Sequence, residues 1–280
     1  MTEHTVVTPA ATGASLQSAR PKEVRGYRLR KLSDVSLAFL GWFLFLGAWE
    51  LAPRLGLVDP VFSSSPSAAL SELWGLMVSG TIFPDILATT KIMGIGLALG
   101  IVIGVPCGIV FAWFRAADHL TNSVTAALYS LPYVAFVPLV VLWFGIGDTG
   151  RIALVTWATV FPVLLNTIGG VRNLDRSFLR VAKGFCAPQF KTITTVVLPG
   201  SLPYVLTGVR LAVGRALVCA IVAEFFMSSE GLGYFISNST AALDMDAAFA
   251  ALFVTGALGV LLVRLTTIVE DKFSFWTSAE

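Results

Sequence analysis

The sequence predicts an all-α, polytopic membrane protein with six transmembrane helices, and three observations carry that prediction. Its 280 residues are 56% hydrophobic and only 13% charged, with a mean hydropathy of +0.81. A soluble domain carries about a quarter charged residues. Six apolar stretches are each long enough to cross a hydrocarbon core about 30 Å thick, which takes roughly 20 helical residues. Lys and Arg gather on alternate connections between those stretches, as they do on the cytoplasmic side of membrane proteins. The same composition excludes a disordered chain, a nucleic-acid binder and a secreted disulfide scaffold. A formal charge of +2 is too balanced for a polyanion partner.

The elements follow in chain order. Residues 1–32 are polar and carry Arg20, Lys22, Arg25, Arg28, Arg30 and Lys31. They are expected to form a disordered cytoplasmic tail. The apolar stretch after them is long and lacks a small-residue cleavage site, so it does not read as a cleavable signal. Residues 33–85 hold the first span, Ser33–Ala52, and an outer segment. Residues 86–270 form the core, with spans Ile86–Phe114, Val124–Ile146, Ile152–Val171, Val205–Met227 and Ala247–Val269. Residues 271–280 are a cytoplasmic C-terminal tail. Fourteen basic residues fall on one face, among them Arg115, Arg172, Arg176, Arg180, Lys183, Lys191, Arg264 and Lys272. Only Arg54 and Arg151 fall on the other. Both termini are therefore expected in the cytoplasm, in a multi-pass chain of a bacterial cytoplasmic membrane.

Within the second span Gly96, Gly100, Gly104 and Gly108 recur every fourth residue, a flat stripe that lets helix backbones approach closely. Packing inside the protomer is the first reading, a dimer seam or a pathway wall the others. Pro106 implies a kink. Gly145–Gly150 fits a GxGxxG pattern, but the strand–turn–helix context and the following acid that dinucleotide binding requires are missing. It reads as a tight turn. Cys107, Cys186 and Cys219 form no paired framework, and His4 and His119 are too few and too distant for a metal site. No GxxxxGK[ST] phosphate loop, HExxH or GxSxG motif occurs, so no enzyme activity, cofactor or metal is expected of this chain.

The fourth-to-fifth connection, 172–202, is the longest basic loop. A helix from Asp175 to Phe185 would place Phe178, Ala182 and Phe185 on one face and Arg176, Arg180 and Lys183 mostly on others. Pro188 ends it, and a second short helix can run to Leu198, before Pro199. Such apolar knobs suit a groove on another protein; a helix lying on lipid headgroups is the alternative.

This loop resembles the EAA signature of binding-protein-dependent ABC importer permeases. Aligned on Leu198 and Pro199, Ala182, Ala187 and Pro188 fall as in that family, while Arg180 stands where it has Glu and Cys186 where it has Gly. Leu131-Pro132, Val137-Pro138 through Trp143, Thr207–Arg215, Ala223-Glu224, Gly231–Ile236 and Ser64–Leu70 are similar to the sulfonate, taurine and nitrate branch. The resemblance runs from about Trp42 to Phe273. It implies the type I ABC importer permease fold and an importer of a small organic or inorganic anion; some relatives take thiamine precursors or aromatic acids. It also implies a homodimer, two separate ATPase subunits that hold ATP and Mg, and an extracytoplasmic binding protein. Phe178, Arg180, Val181, Ala182, Phe185, Cys186, Ala187, Pro188, Leu198 and Pro199 would form the ATPase-coupling loop. The absence of an internal repeat likewise calls for a second copy around a central path.

Ionisable groups inside spans are functional candidates by default. These are Arg210, Arg215 and Glu224, as ion pairs to other helices, as gate elements or as substrate contacts. Ser130, Tyr133 and Asn166 are polar candidates for the pathway. A stand-alone facilitator or channel, and an intramembrane enzyme, remain the alternatives to an importer subunit.

Overall fold

The computed structural model describes residues 24–59, 61–113, 125 and 127–273. The expected N-terminal tail up to residue 23, the connection at 114–124 and the C-terminal residues 274–280 lie outside them. The chain divides into two units, Met1–Trp49 and Glu50–Glu280. Helix α1, Val24–Arg54, contains the first expected span and begins ahead of the expected Ser33.

The second unit is helical throughout its described residues. After α1, Ser65 caps α2 (Pro66–Ser79) by accepting the Ala68 N–H, with Pro66 at a position that needs no donor. The Glu50 carboxylate accepts the Ser67 N–H at 3.0 Å, placing negative charge at the positive end of α2. There follow α3 (Phe83–Trp113), a 3₁₀ turn at Tyr133–Phe136, α4 (Val137–Phe144) and α5 (Asp148–Arg172). Beyond α5 come α6 (Arg176–Gly184), α7 (Gln189–Thr192), a π turn at Ile193–Val197, and α8 (Leu198–Met227). The chain ends in α9 (Leu232–Ala241) and α10 (Met245–Phe273).

Four helices of the described residues are long and apolar enough to cross a membrane: Phe83–Trp113, Asp148–Arg172, Gln189–Met227 and Met245–Lys272. Two expectations are corrected. The third span, expected as one helix over Val124–Ile146, is interrupted at Leu131 and Pro132, leaving the shorter apolar segment Tyr133–Phe144. Pro132 offers no N–H, and its ring disfavours helical geometry at Leu131. The helix holding the fifth span does not break at Pro199: it runs unbroken from Gln189 to Met227, so the last residues of the expected 172–202 loop are helical and continuous with that span. The π turn just ahead of Pro199 explains the continuity. The widened backbone relieves the clash between a proline ring and the carbonyl one turn earlier.

Helix α5 is the centre of the fold: 56% of its apolar window is buried, against 28% for α3 and 22% for α10. It packs along α3 on one side and α8 on the other, and α10 lies against α8, α9 and α2. The α3 contact is made by the glycine stripe. All four glycines are buried. A Cβ built on Gly96 would lie 2.5 Å from Val155 Cγ1, one on Gly104 3.0 Å from Val163 Cβ, and one on Gly108 2.7 Å from Thr167 Cβ; at Gly100 it would strike Thr159. Val155, Thr159, Val163 and Thr167 share the same four-residue spacing, so two helix faces mesh residue by residue. The stripe is packing within the protomer.

Candidate coupling surface and intramembrane charges

The loop between α5 and α8 is ordered by its own caps. Asp175 opens α6 by accepting the Ser177 N–H at 2.8 Å, and that bond together with the Ser177 hydroxyl holds its carboxyl below the usual range. The cap therefore stays charged at neutral pH. At the other end Ala187 N–H donates to Ala182 O at 3.1 Å and Cys186 N–H to Lys183 O at 2.9 Å. This pair of bonds is the Schellman closure, which puts one residue in left-handed backbone. That residue is Cys186, at φ 51°. The position where the resembled signature has glycine is thus the one where geometry favours it, and the cysteine carries a strain of about 1 kcal/mol.

Between these caps, Phe178 is 59% exposed, Val181 58% and Phe185 82%, and Phe190 beyond them is 78% exposed. Ala182, expected to share the face of Phe178 and Phe185, is only 8% exposed and turns inward. The exposed stripe is Phe178–Val181–Phe185, at helical spacings of three and four. Pro188 begins α7, Leu198 is partly exposed and Pro199 is exposed at the start of α8.

The charges on α8 have three separate environments. Arg210 Nη1 lies 2.9 Å from Glu270 Oε2, and Thr207 donates to the other oxygen of Glu270 at 2.6 Å, tying α8 to α10. The Arg215 guanidinium lies 4.0 Å from the centroid of the Tyr129 ring. Glu224 is fully buried and forms no ion pair among the described residues. Its Oε2 accepts the Gly233 N–H at 2.8 Å and the Thr89 hydroxyl at 3.0 Å. Thr89 in turn accepts the Leu232 N–H at 2.9 Å, and Asp85 accepts that of Gly231 at 2.7 Å. Three successive donors at the start of α9 are thereby satisfied by α3 and α8. Gly231 must be glycine, since its φ is 103° and a Cβ there would lie 2.5 Å from the Glu224 carboxyl carbon.

Beside this hub, buried Arg151 donates to the Ser228 hydroxyl at 2.6 Å, pairs with Asp148 and lies 3.5 Å from Glu230. Lys91 lies 3.4 Å from Asp148. The glycines of 145–150 form the tight turn that presents these groups: Gly145 and Gly147 both have positive φ, and α5 starts at Asp148.

Of the polar pathway candidates, the Asn166 amide donates to Pro162 O at 2.8 Å within its own helix, and its Cβ faces Gly208. Ser130 is exposed and Tyr133 half-buried, on either side of the break at Leu131 and Pro132. Sequence reasoning missed Asp85, Thr89, Tyr129, Arg151 and Glu270 as partners. The four-residue spacing of Asp85 and Thr89, and the three-residue spacing of Asp148 and Arg151, were the available signals.

An all-helical membrane core with a capped, apolar-studded loop helix is the architecture of an importer permease, and the chain belongs to that class. Over residues 100–275 it matches the family of binding-protein-dependent transport system inner membrane components. It is thus an ABC importer permease, a multi-pass inner-membrane component rather than an enzyme. It is 31% identical over 241 residues to the putative aliphatic sulfonates transport permease protein SsuC of Escherichia coli (strain K12), covering 85% of this chain and 92% of that one. The taurine transport system permease protein TauC of the same organism is 26% identical over 248 residues, covering 87% and 90%. In fold the chain is similar to a solved structure of inward-facing conformations of the MetNI methionine ABC transporter, with TM-score 0.62 at 14% identity, covering 69% of this chain and 95% of that one.

Proposed function

We propose that this permease imports a small anion of the sulfonate or taurine kind, driven by ATP hydrolysed on separate subunits. In this reading two copies of the chain line one path, two ATPase subunits carry ATP and Mg, and an extracytoplasmic binding protein delivers the substrate. The observation that carries it is the exposed stripe Phe178–Val181–Phe185 on a helix fixed by caps at both ends. Apolar knobs held rigidly in this way suit a groove on a partner protein. A facilitator working alone has no use for them. The five bases of the loop (Arg172, Arg176, Arg180, Lys183 and Lys191) support a cytoplasmic position for it, and with it for both termini. The identity to permeases named for aliphatic sulfonates and taurine supports the substrate class.

The test is copurification. Phe178→Asp combined with Phe185→Asp removes the ATPase from the detergent-solubilised complex, while the amount of permease in the membrane stays at the native level. A complex that survives intact refutes the docking role.

A further inference from the structure

Of the three charges on the α8 span, Arg210 is paired with Glu270, and Glu224 is held through one carboxylate oxygen by N–H and hydroxyl donors. Arg215 is different. It lies roughly 18 Å along the helix from Met227 and about 25 Å from Leu198, well inside the span. Among the described residues no carboxylate comes within ion-pair distance of it. Its guanidinium instead lies over the face of Tyr129. A ring face attracts a guanidinium but does not neutralise it, and an uncompensated cation at membrane depth is expensive.

A second observation comes from the backbone next to it. Tyr129 belongs to the helical residues 127–130, and Tyr133 opens the 3₁₀ turn, with the break at Leu131 and Pro132 between them. Non-helical backbone at membrane depth occurs where it is buried in protein or lines a watery cavity. Ser130, Leu131 and Pro132 are all exposed on the chain, so the break lies at its surface and not in its core. Tyr133 packs against the buried cluster that includes Ala216 and Cys219, one and four residues beyond Arg215 on α8.

We propose that Arg215, backed by Tyr129 and Tyr133 at the broken helix, is an anion-binding point in the translocation path, and that the transported anion is its missing counter-ion. A guanidinium held over the Tyr129 ring still carries its fork of N–H donors, which can pair bidentately with two oxygens of a sulfonate or carboxylate. The proposal rests on the reading of the chain as an anion importer and assigns that function a residue.

The experiment uses the intact system in its native host, with the chromosomal permease replaced by Arg215→Gln, Arg215→Lys or Tyr129→Leu. ATP-dependent uptake of radiolabelled ethanesulfonate and taurine is measured, with the amount of assembled complex quantified in each membrane. Arg215→Gln lowers the maximal ethanesulfonate rate per complex about tenfold or more, with the half-saturating concentration unchanged if the binding protein sets it. Arg215→Lys keeps roughly a third or more of the rate, and Tyr129→Leu falls between them. In parallel, ethanesulfonate raises the melting temperature of the purified native complex above that in equimolar sodium chloride, a shift absent in Arg215→Gln. Native rates in Arg215→Gln overturn the site while leaving the importer reading intact. A Gln variant that loses dimer but transports normally per dimer also overturns it, since Arg215 then pairs with an acid of the second copy. A native permease that takes up neither compound overturns the sulfonate reading of its substrate, and the site with it.

Discussion

The meshing of α3 and α5 makes a quantitative prediction, because two glycines only two residues apart have opposite surroundings. A Cβ on Gly96 would stand 2.5 Å from Val155 Cγ1 and 2.6 Å from Val155 Cβ, whereas one on Gly94 meets nothing within 4 Å. Carbon atoms in good contact sit about 3.5–4.0 Å apart, so Gly96→Ala places a methyl about 1 Å too close. Rotating Val155 does not relieve the clash, since its Cβ is fixed to the backbone, and the helices must separate. Overpacking of this kind costs about 1–3 kcal/mol, offset by up to ~1 kcal/mol from the better helix propensity of alanine. Gly94→Ala receives the offset without the clash. The two variants should therefore differ by about 2 kcal/mol, a factor of roughly 30 in the unfolding equilibrium. Reversible unfolding in mixed detergent–SDS micelles, followed by far-ultraviolet circular dichroism, reads the difference. Adding Val155→Gly to each variant, which removes that Cβ, should show a coupling energy of at least about 1 kcal/mol with Gly96→Ala and none with Gly94→Ala. Equal stabilities for the two single variants, or no coupling at Gly96, would refute close packing of the stripe.

Two further outcomes follow from the caps and the charges. Cys186→Gly relieves the left-handed strain at the end of α6 and stabilises that loop by about 1 kcal/mol, seen as slower amide exchange over 182–188, while the β-branched Cys186→Val speeds it. Glu270→Leu takes the carboxylate partner from Arg210, while the Thr207 hydroxyl keeps its bond to Pro203 O, and lowers stability by about 1 kcal/mol; Arg210→Leu in the same chain recovers most of the loss on thermal unfolding.

What could be read from the sequence was what depends on composition and short-range period. The glycine stripe, the α6 helix and the turn at Gly145–Gly150 are local patterns, and each appears where its residues place it. The face of α6 was half legible. Phe178 and Phe185 are exposed as apolar knobs, but Ala182 points inward, because a small residue is what α6 can press against the body of the protein. The proline effects were misassigned for a physical reason. Pro132 ends a helix and Pro199 does not, and the difference is the π turn at Ile193–Val197, a hydrogen-bonding shift with no residue signature of its own. The partners of the buried charges were invisible because they come from far along the chain: Thr89 with Glu224, and Arg210 with Glu270.

The continuity of the helix from Gln189 to Met227 bears directly on how a force at the loop could reach the charged sites. Had the chain broken at Pro199, α6 and α7 would hang from a hinge, and their displacement would dissipate there. Instead one helix of 39 residues starts directly after the α6 cap and Pro188. It carries Arg210, Arg215 and Glu224 in turn, and at its far end it fixes the start of α9 through Glu224. Along an unbroken helix the backbone hydrogen bonds transmit a push axially, over about 58 Å at 1.5 Å per residue. Sideways motion is resisted by α5: Gly170 of α5 receives Tyr204 of α8, and Gly208 of α8 receives Asn166 of α5, in contacts too close for any larger side chain. On the proposed function, engagement of Phe178 and Phe185 therefore acts on α8 as a rod sliding or tilting against α5. The π turn, with its wider hydrogen-bonding register, is the one place along that rod where a one-residue shift can be absorbed without breaking it.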